Sequence, residues 1–167
     1  MRREWEPEDL IASWTLVEPE WELVANKTGA TRLGFSVMLK FFEIDGRFPE
    51  YGAEVPDQAV TYLAEQVRVD PALFAKYEFS SRTAKYHRTQ IRQELGLREC
   101  TKADQVELAG WLSRELCPTE FRREQLRDAV VARCRAVRLE PPTYGQLSRL
   151  INSAVRQFEE RFCGVIR

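Results

Sequence analysis

The chain has 167 residues, 44% hydrophobic and 31% charged, with 25 Lys/Arg against 26 Asp/Glu, which suits one ordinary soluble domain or two small helical ones. No apolar run approaches the roughly 20 residues that cross a bilayer, and the opening MRREWEPEDL turns acidic at once without an apolar secretion segment, so a cytoplasmic protein with no membrane partner is expected. Near-neutrality conceals segregation: residues 1–79 hold 8 basic against 15 acidic side chains, net −7, and residues 80–167 hold 17 against 11, net +6, so the second half can face a polyanion by itself.

Taken in chain order, almost every segment reads as helix. EPEDLIASWTL and EPEWELVANKTG each place Pro in a first turn among acids, and the second stops at Gly29. ATRLGFSVMLKFFEIDG is a longer helix ending toward Gly46, with Leu33, Val37, Phe41 and Ile44 as a buried stripe. Pro49, Gly52 and Pro56 mark RFPEYGAEVP as a loop. Val60, Leu63, Ala64 and Val67 then line one helix face, and Asp70 can cap a short helix from Pro71 that buries Leu73, Phe74 and Tyr77. Two short helices on a tight turn suggest a helix-turn-helix; an ordinary αα-corner reads the same way.

Ser80 or Ser81 caps the next helix. At about 100° per residue, Ala84, His87, Ile91 and Leu95 share one face and Gly96 stops it. Arg82, Lys85, Thr89 and Arg92 gather opposite, with Arg88 at the edge. A solvated face usually mixes signs in i,i+4 pairs; this one keeps a single sign for three turns. Thr101 caps a helix that runs to Pro118, FRREQLRDAVVARCRAVRL is a basic helix ending before Pro141-Pro142, and Thr143 caps the last. There Leu147, Leu150, Ile151, Ala154, Phe158 and Phe162 form the buried stripe, while Gln146, Arg149, Ser153 and Arg156 lie away from it. This second corner makes the expected fold an all-α, multi-helix bundle with two helix-turn-helix-like subdomains, over residues 1–97 and 98–167.

Little points to catalysis. There is no phosphate-cradling Walker pattern and no G-x-S-x-G. Cys100, Cys117, Cys134 and Cys163 are widely spaced beside a single His, which excludes zinc-finger spacing, so no metal and no cofactor is expected. Cys134 sits in an apolar pattern as a small core residue. His87 faces the apolar side of its helix, where a satisfied, partly buried His fits better than a general base.

Duplex nucleic acid suits the chain better. Arg and Lys neutralise phosphates, which Arg82, Lys85, Arg88 and Arg92 are placed to do. Tyr144, Gln146 and Arg149 near a helix start have base-reading character, since Gln pairs with adenine edges and Arg with guanine. The competing reading has these arginines meet the acidic half, within the chain or in a dimer.

The ordered set NKTGATRLGF (26–35), DGRFP (45–49), VP (55–56), LAEQVRVDP (63–71), Tyr77, RTAKYHRTQIRQELGL (82–97) and WL (111–112) resembles the N-terminal region of Tn-three-family transposases over nearly the whole chain. That resemblance implies a helical region binding the terminal inverted repeats of a transposon. It places cutting in a separate RNase H-like domain with a magnesium-binding Asp–Asp–Glu set, which a chain this short does not hold. DNA recognition without catalysis is therefore expected, with the rest of a transposase chain as partner and dimerisation left open. The resemblance adds Lys27 and Arg32 as candidate DNA contacts, because they match the family's K-x-G…R-L-G-F pattern. It also meets Arg68 at a turn where such a corner often has Gly. A stand-alone helical DNA-binding regulator, or a protein-interaction scaffold, would have the same composition.

Overall fold

The structure, a computed structural model, describes residues 4–119 and 122–166, with side chains described up to Phe162. Residues 1–3, Phe121 at the start of the expected FRREQLRDAVVARCRAVRL helix, and the Cys163 side chain lie outside the described residues. Among the described residues the fold is all-α. Its α-helices are α1 (Pro7–Trp14), α2 (Glu18–Ala25), α3 (Gly29–Asp45), α4 (Asp57–Val67), α5 (Arg82–Leu95), α6 (Lys102–Glu115), α7 (Arg123–Ala136) and α8 (Tyr144–Ile166), with short 3-10 helices at Gly52–Glu54 and Pro71–Lys76. They fall into two compact units divided between Leu95 and Gly96.

Unit 1 is built around α3. The expected stripe understates its burial: every residue from Leu33 to Phe42 is buried, Ser36 and Lys40 included. Helices α1, α2, α4, α5 and the Pro71–Lys76 turn all pack against it, so no face of its middle reaches water. Ile44, at its end, is only half-buried. Gly46 closes the helix in the left-handed region at φ 80°, its N–H bonded to Phe42 O at 2.8 Å, a conformation Gly adopts without Cβ strain.

Helix α4 holds α1 by side-chain amides. Gln58 Oε1 accepts from Trp5 N at 3.0 Å, and Gln66 accepts from Leu16 N at 2.9 Å while donating to Trp14 O at 3.0 Å. Trp14 is fully buried and meets Trp5 edge-on at 5.8 Å between ring centroids.

The corner after α4 turns at the position where such corners often have Gly, and departs from expectation in the segment that follows. Arg68 takes the left-handed conformation (φ 58°, ψ 50°) usually given to Gly, and Val69 N bonds Ala64 O at 3.0 Å. The turn closes without glycine, its backbone held by the bond from Val69 to Ala64. Asp70 then caps Ala72 N at 2.9 Å as expected, but the capped segment is a 3-10 helix, with Leu73 and Phe74 half-buried and Tyr77 buried. It is too short and too closely bound to α3 to resemble a free recognition helix.

Unit 2 packs α6 chiefly against α8, with α7 completing a core of Leu108, Leu112, Leu126, Val130, Cys134, Leu147 and Ile151. Burial raises the Cys134 thiol to about 12, so it stays protonated and apolar in character. Thr101 and Asp104 cap α6 reciprocally: Asp104 N donates to Thr101 Oγ1 at 3.2 Å, and Thr101 N to Asp104 Oδ2 at 2.8 Å. The link from α7 to α8, residues 137–143, is longer than the 3–4-residue turn of a helix-turn-helix. It is pinned by a two-residue parallel bridge, Arg98 N to Arg138 O at 3.0 Å and Glu140 N to Arg98 O at 2.7 Å. Phe162, expected in the buried stripe of α8, is 58% exposed.

Candidate nucleic-acid interface

Helix α5 starts where Ser81 Oγ accepts from Ala84 N at 3.1 Å. Its inner face is anchored by Ala84, His87 and Ile91, all buried; burying one Ile side chain contributes about 1.5–3 kcal/mol. The centre of the anchor is aromatic. Tyr77 Oη and His87 Nδ1 lie 2.7 Å apart, and Phe35 meets the imidazole edge-on at 5.1 Å. Burial, with a smaller contribution from the Lys27 charge, lowers His87 to about 4, so the ring is neutral at physiological pH and structural. Gly34 is essential to this packing: a Cβ there would lie 2.1 Å from Tyr77 Cδ2.

With that face fixed, the opposite one is forced outward. Arg82 and Lys85 are exposed, and Arg92 is half-buried, its Nη2 donating to Thr89 Oγ1 at 3.0 Å. Arg88 differs from the expected phosphate contact. Its Nη1 donates to Phe79 O at 3.0 Å, so it fastens the loop before α5 to the helix. Tyr86, 61% exposed, and Gln93, exposed, stand on the same outward face. They were legible in the sequence: Arg82, Tyr86, Thr89 and Gln93 fall at i, i+4, i+7 and i+11, one helix ridge, but attention to charge alone passes over them.

Lys27 and Arg32 turn inward, against the expectation of DNA contact. Lys27 is 7% exposed; its ammonium donates to Leu23 O at 2.7 Å and Asn26 Oδ1 at 3.2 Å, and sits 4.1 Å over the Phe35 ring. Burial lowers its pKa. Arg32 Nε donates to Lys27 O at 2.7 Å and its Nη1 to Val67 O at 3.2 Å, tying α3 to the ends of α2 and α4. Lys40 and Arg47 are buried likewise, Lys40 against Glu20 at 2.6 Å and Arg47 against Glu54 at 2.7 Å. Removing one partner of such a pair costs about 3–5 kcal/mol, because the other charge is left buried alone.

In unit 2 the expected reading residues divide. Gln146 is the return partner of an N-terminal cap: Thr143 N donates to its Oε1 at 3.0 Å, and Gln146 N to Thr143 Oγ1 at 3.3 Å. Its amide oxygen is thus already engaged, which removes half of a bidentate adenine contact. Tyr144 is 41% exposed, but Arg127 stacks 5.0 Å over its ring and donates to its hydroxyl. Arg149 is exposed, and Arg156, two turns on, shares its face.

The family described as Domain of unknown function (DUF4158) matches residues 1–154. The chain belongs to that family. This DUF4158 chain is also 32% identical over 91 residues to the transposase for transposon Tn501 of Pseudomonas aeruginosa, a stretch covering 54% of this chain and 9% of that transposase. The chain is therefore related to a transposase region, and spans only a small part of that relative. Among the described residues of the DUF4158 chain, no helix is long and apolar enough to cross a membrane, and no three His, Cys, Asp or Glu side chains cluster as metal ligands would.

Proposed function

We propose that the chain is the DNA-binding region of a Tn-three-family transposase, recognising the terminal inverted repeats of its transposon, with the catalytic Asp–Asp–Glu domain outside it. The observation that carries this reading is α5: a helix locked on one face by Ala84, His87 and Ile91 that presents cations of one sign on the other. No acid from its own first three turns opposes them, since Glu94 comes only in the last. The relationship to a transposase supports it from a second direction.

Arg82, Lys85 and Arg92 grip phosphates, and each contact releases condensed counterions, so affinity falls steeply with salt. Unit 2 offers Arg149 and Arg156 on the exposed face of α8 as a second set of contacts. Each unit then addresses its own part of an extended terminal repeat, and the rest of the transposase chain supplies the chemistry.

The test is fluorescence anisotropy of the chain with a labelled duplex of its element's terminal repeat, against a scrambled duplex, over several salt concentrations. Tighter binding to the repeat with a steep salt slope is the expected result. Equal binding to both would reduce the protein to a non-specific clamp, and no binding at low salt would turn the basic face into a protein interface.

A further inference from the structure

We infer that α5 is itself the base-reading helix, with Tyr86 and Gln93 entering the major groove as specificity-determining residues while Arg82, Lys85 and Arg92 hold the backbone beside them. This rests on the DNA-binding reading above and deepens it.

Three observations converge. Of the three residues with a sequence case for base reading, Tyr144 and Gln146 are engaged within unit 2 by Arg127 and by Thr143, which leaves Arg149 exposed without them. The short Pro71–Lys76 helix, second element of the first corner, packs against α3 and holds Leu73 and Phe74 half-buried. Helix α5, by contrast, is 14 residues long and carries on its solvent ridge two large polar side chains, Tyr86 and Gln93, that are exposed and have no partner among the described residues. An exposed aromatic at 61% in the middle of a basic face contributes nothing to the core that holds the helix.

The geometry fits a groove. Tyr86 and Gln93 lie seven residues apart, two turns and about 10 Å along the axis, which is about three base-pair steps. The B-form major groove admits one helix. With the Tyr86–Gln93 ridge pointed at the base edges, Lys85 and Arg92 fall on one flank, toward one phosphate backbone. Thr89, between them, accepts from Arg92 at 3.0 Å and donates to Lys85 O at 3.2 Å, so it orients a phosphate-gripping arm and does not read. The Gln93 amide, with both donor and acceptor open, matches the N7 acceptor and N6 donor of adenine. The Tyr86 ring and hydroxyl match a thymine methyl and a neighbouring acceptor.

The experiment uses the full chain and a set of terminal-repeat duplexes in which each base pair is exchanged in turn, with anisotropy as readout and thermal melts to confirm that the variants fold. Gln93→Ala should erase discrimination at one base pair, where the wild type loses roughly ten- to hundredfold on exchange. Tyr86→Ala should do so at a position about three base pairs away, leaving the rest of the profile in place. Gln93→Glu should move the preference at its position from adenine toward cytosine, whose N4 amino group donates to a carboxylate. A wild type that discriminates, with variants that keep its full profile or weaken every duplex alike, would overturn the assignment and leave DNA binding standing. A wild type that does not prefer the repeat at all would overturn both.

Discussion

Helices α5 and α8 open in the same style, each behind a hydroxyl cap and each with Tyr, Gln and Arg near at hand, yet they use those residues differently. At the start of α8 the Gln146 oxygen closes the cap on Thr143 and Tyr144 lies under Arg127. In α5 the cap is made by Ser81 alone, and Tyr86 and Gln93 come later, beyond the first turn, where no orphan backbone group needs them. A polar residue within a turn of a helix start can be drawn into the cap, as Gln146 is; beyond that first turn it is available to a partner. Position along the helix, more than residue type, separates the structural from the accessible.

The largest test of this contrast is Gly34→Ala. It removes the space in which Tyr77 sits and so the seat of His87, and is expected to destabilise unit 1 by about 3 kcal/mol. Calorimetry should show an early transition for unit 1 while the transition of unit 2, which holds α8, stays in place; a single shifted transition would show the two units melting together.

Next in size is a pH effect confined to unit 1. His87 is lowered by burial from 6.5 to about 4, so the unfolded chain takes up its proton first, and stability present above pH 6.5 is lost as pH falls toward 4. Each tenfold difference in proton affinity is worth about 1.4 kcal/mol, which brings the full loss to about 3 kcal/mol. Glu43 acts in the opposite direction. Partial desolvation and its hydrogen bond with Glu20 raise it, against the pull of Lys40, so its contribution is fully present below 4.5 and lost as pH rises through its raised value. The wild-type melting profile between pH 7 and 4 should therefore be shallow. Glu43→Gln should expose the descending His87 limb, and a profile unchanged by that substitution would remove Glu43 from the balance.

Smaller still are effects on binding alone. Arg82→Ala and Lys85→Ala should each weaken repeat and scrambled duplex together and flatten the salt slope by roughly one unit. Lys27→Met, at a cation already engaged by Leu23 O and Asn26, should leave that slope unchanged. Equal slopes for all three variants would take α5 out of the interface.

The smallest effect sharpens the comparison most directly. Thr143→Ala should cost about 1 kcal/mol in the unfolding of unit 2 by losing its cap, whereas Gln93→Ala should change the stability of unit 1 by no more than about 0.5 kcal/mol. Urea titrations of the two variants measure both.

By itself the sequence determined those features that depend on neighbours a few residues away. Asp70, Thr101 and Thr143 cap the helices they precede, Gly46 ends α3, and the 100° spacing of Ala84, His87 and Ile91 marks the buried face of α5. These follow from backbone groups that must be satisfied within one turn and from a fixed helical period. Which cations remain available was decided only by tertiary structure. Arg32 reaches a carbonyl 35 residues along the chain, and Lys40 meets Glu20 on another helix. Such contacts leave no trace in local spacing, because a long flexible side chain takes whichever partner packing brings within about 3 Å. The same holds for Phe162, whose place in the α8 stripe is correct by period but which lies past the packed length of that helix.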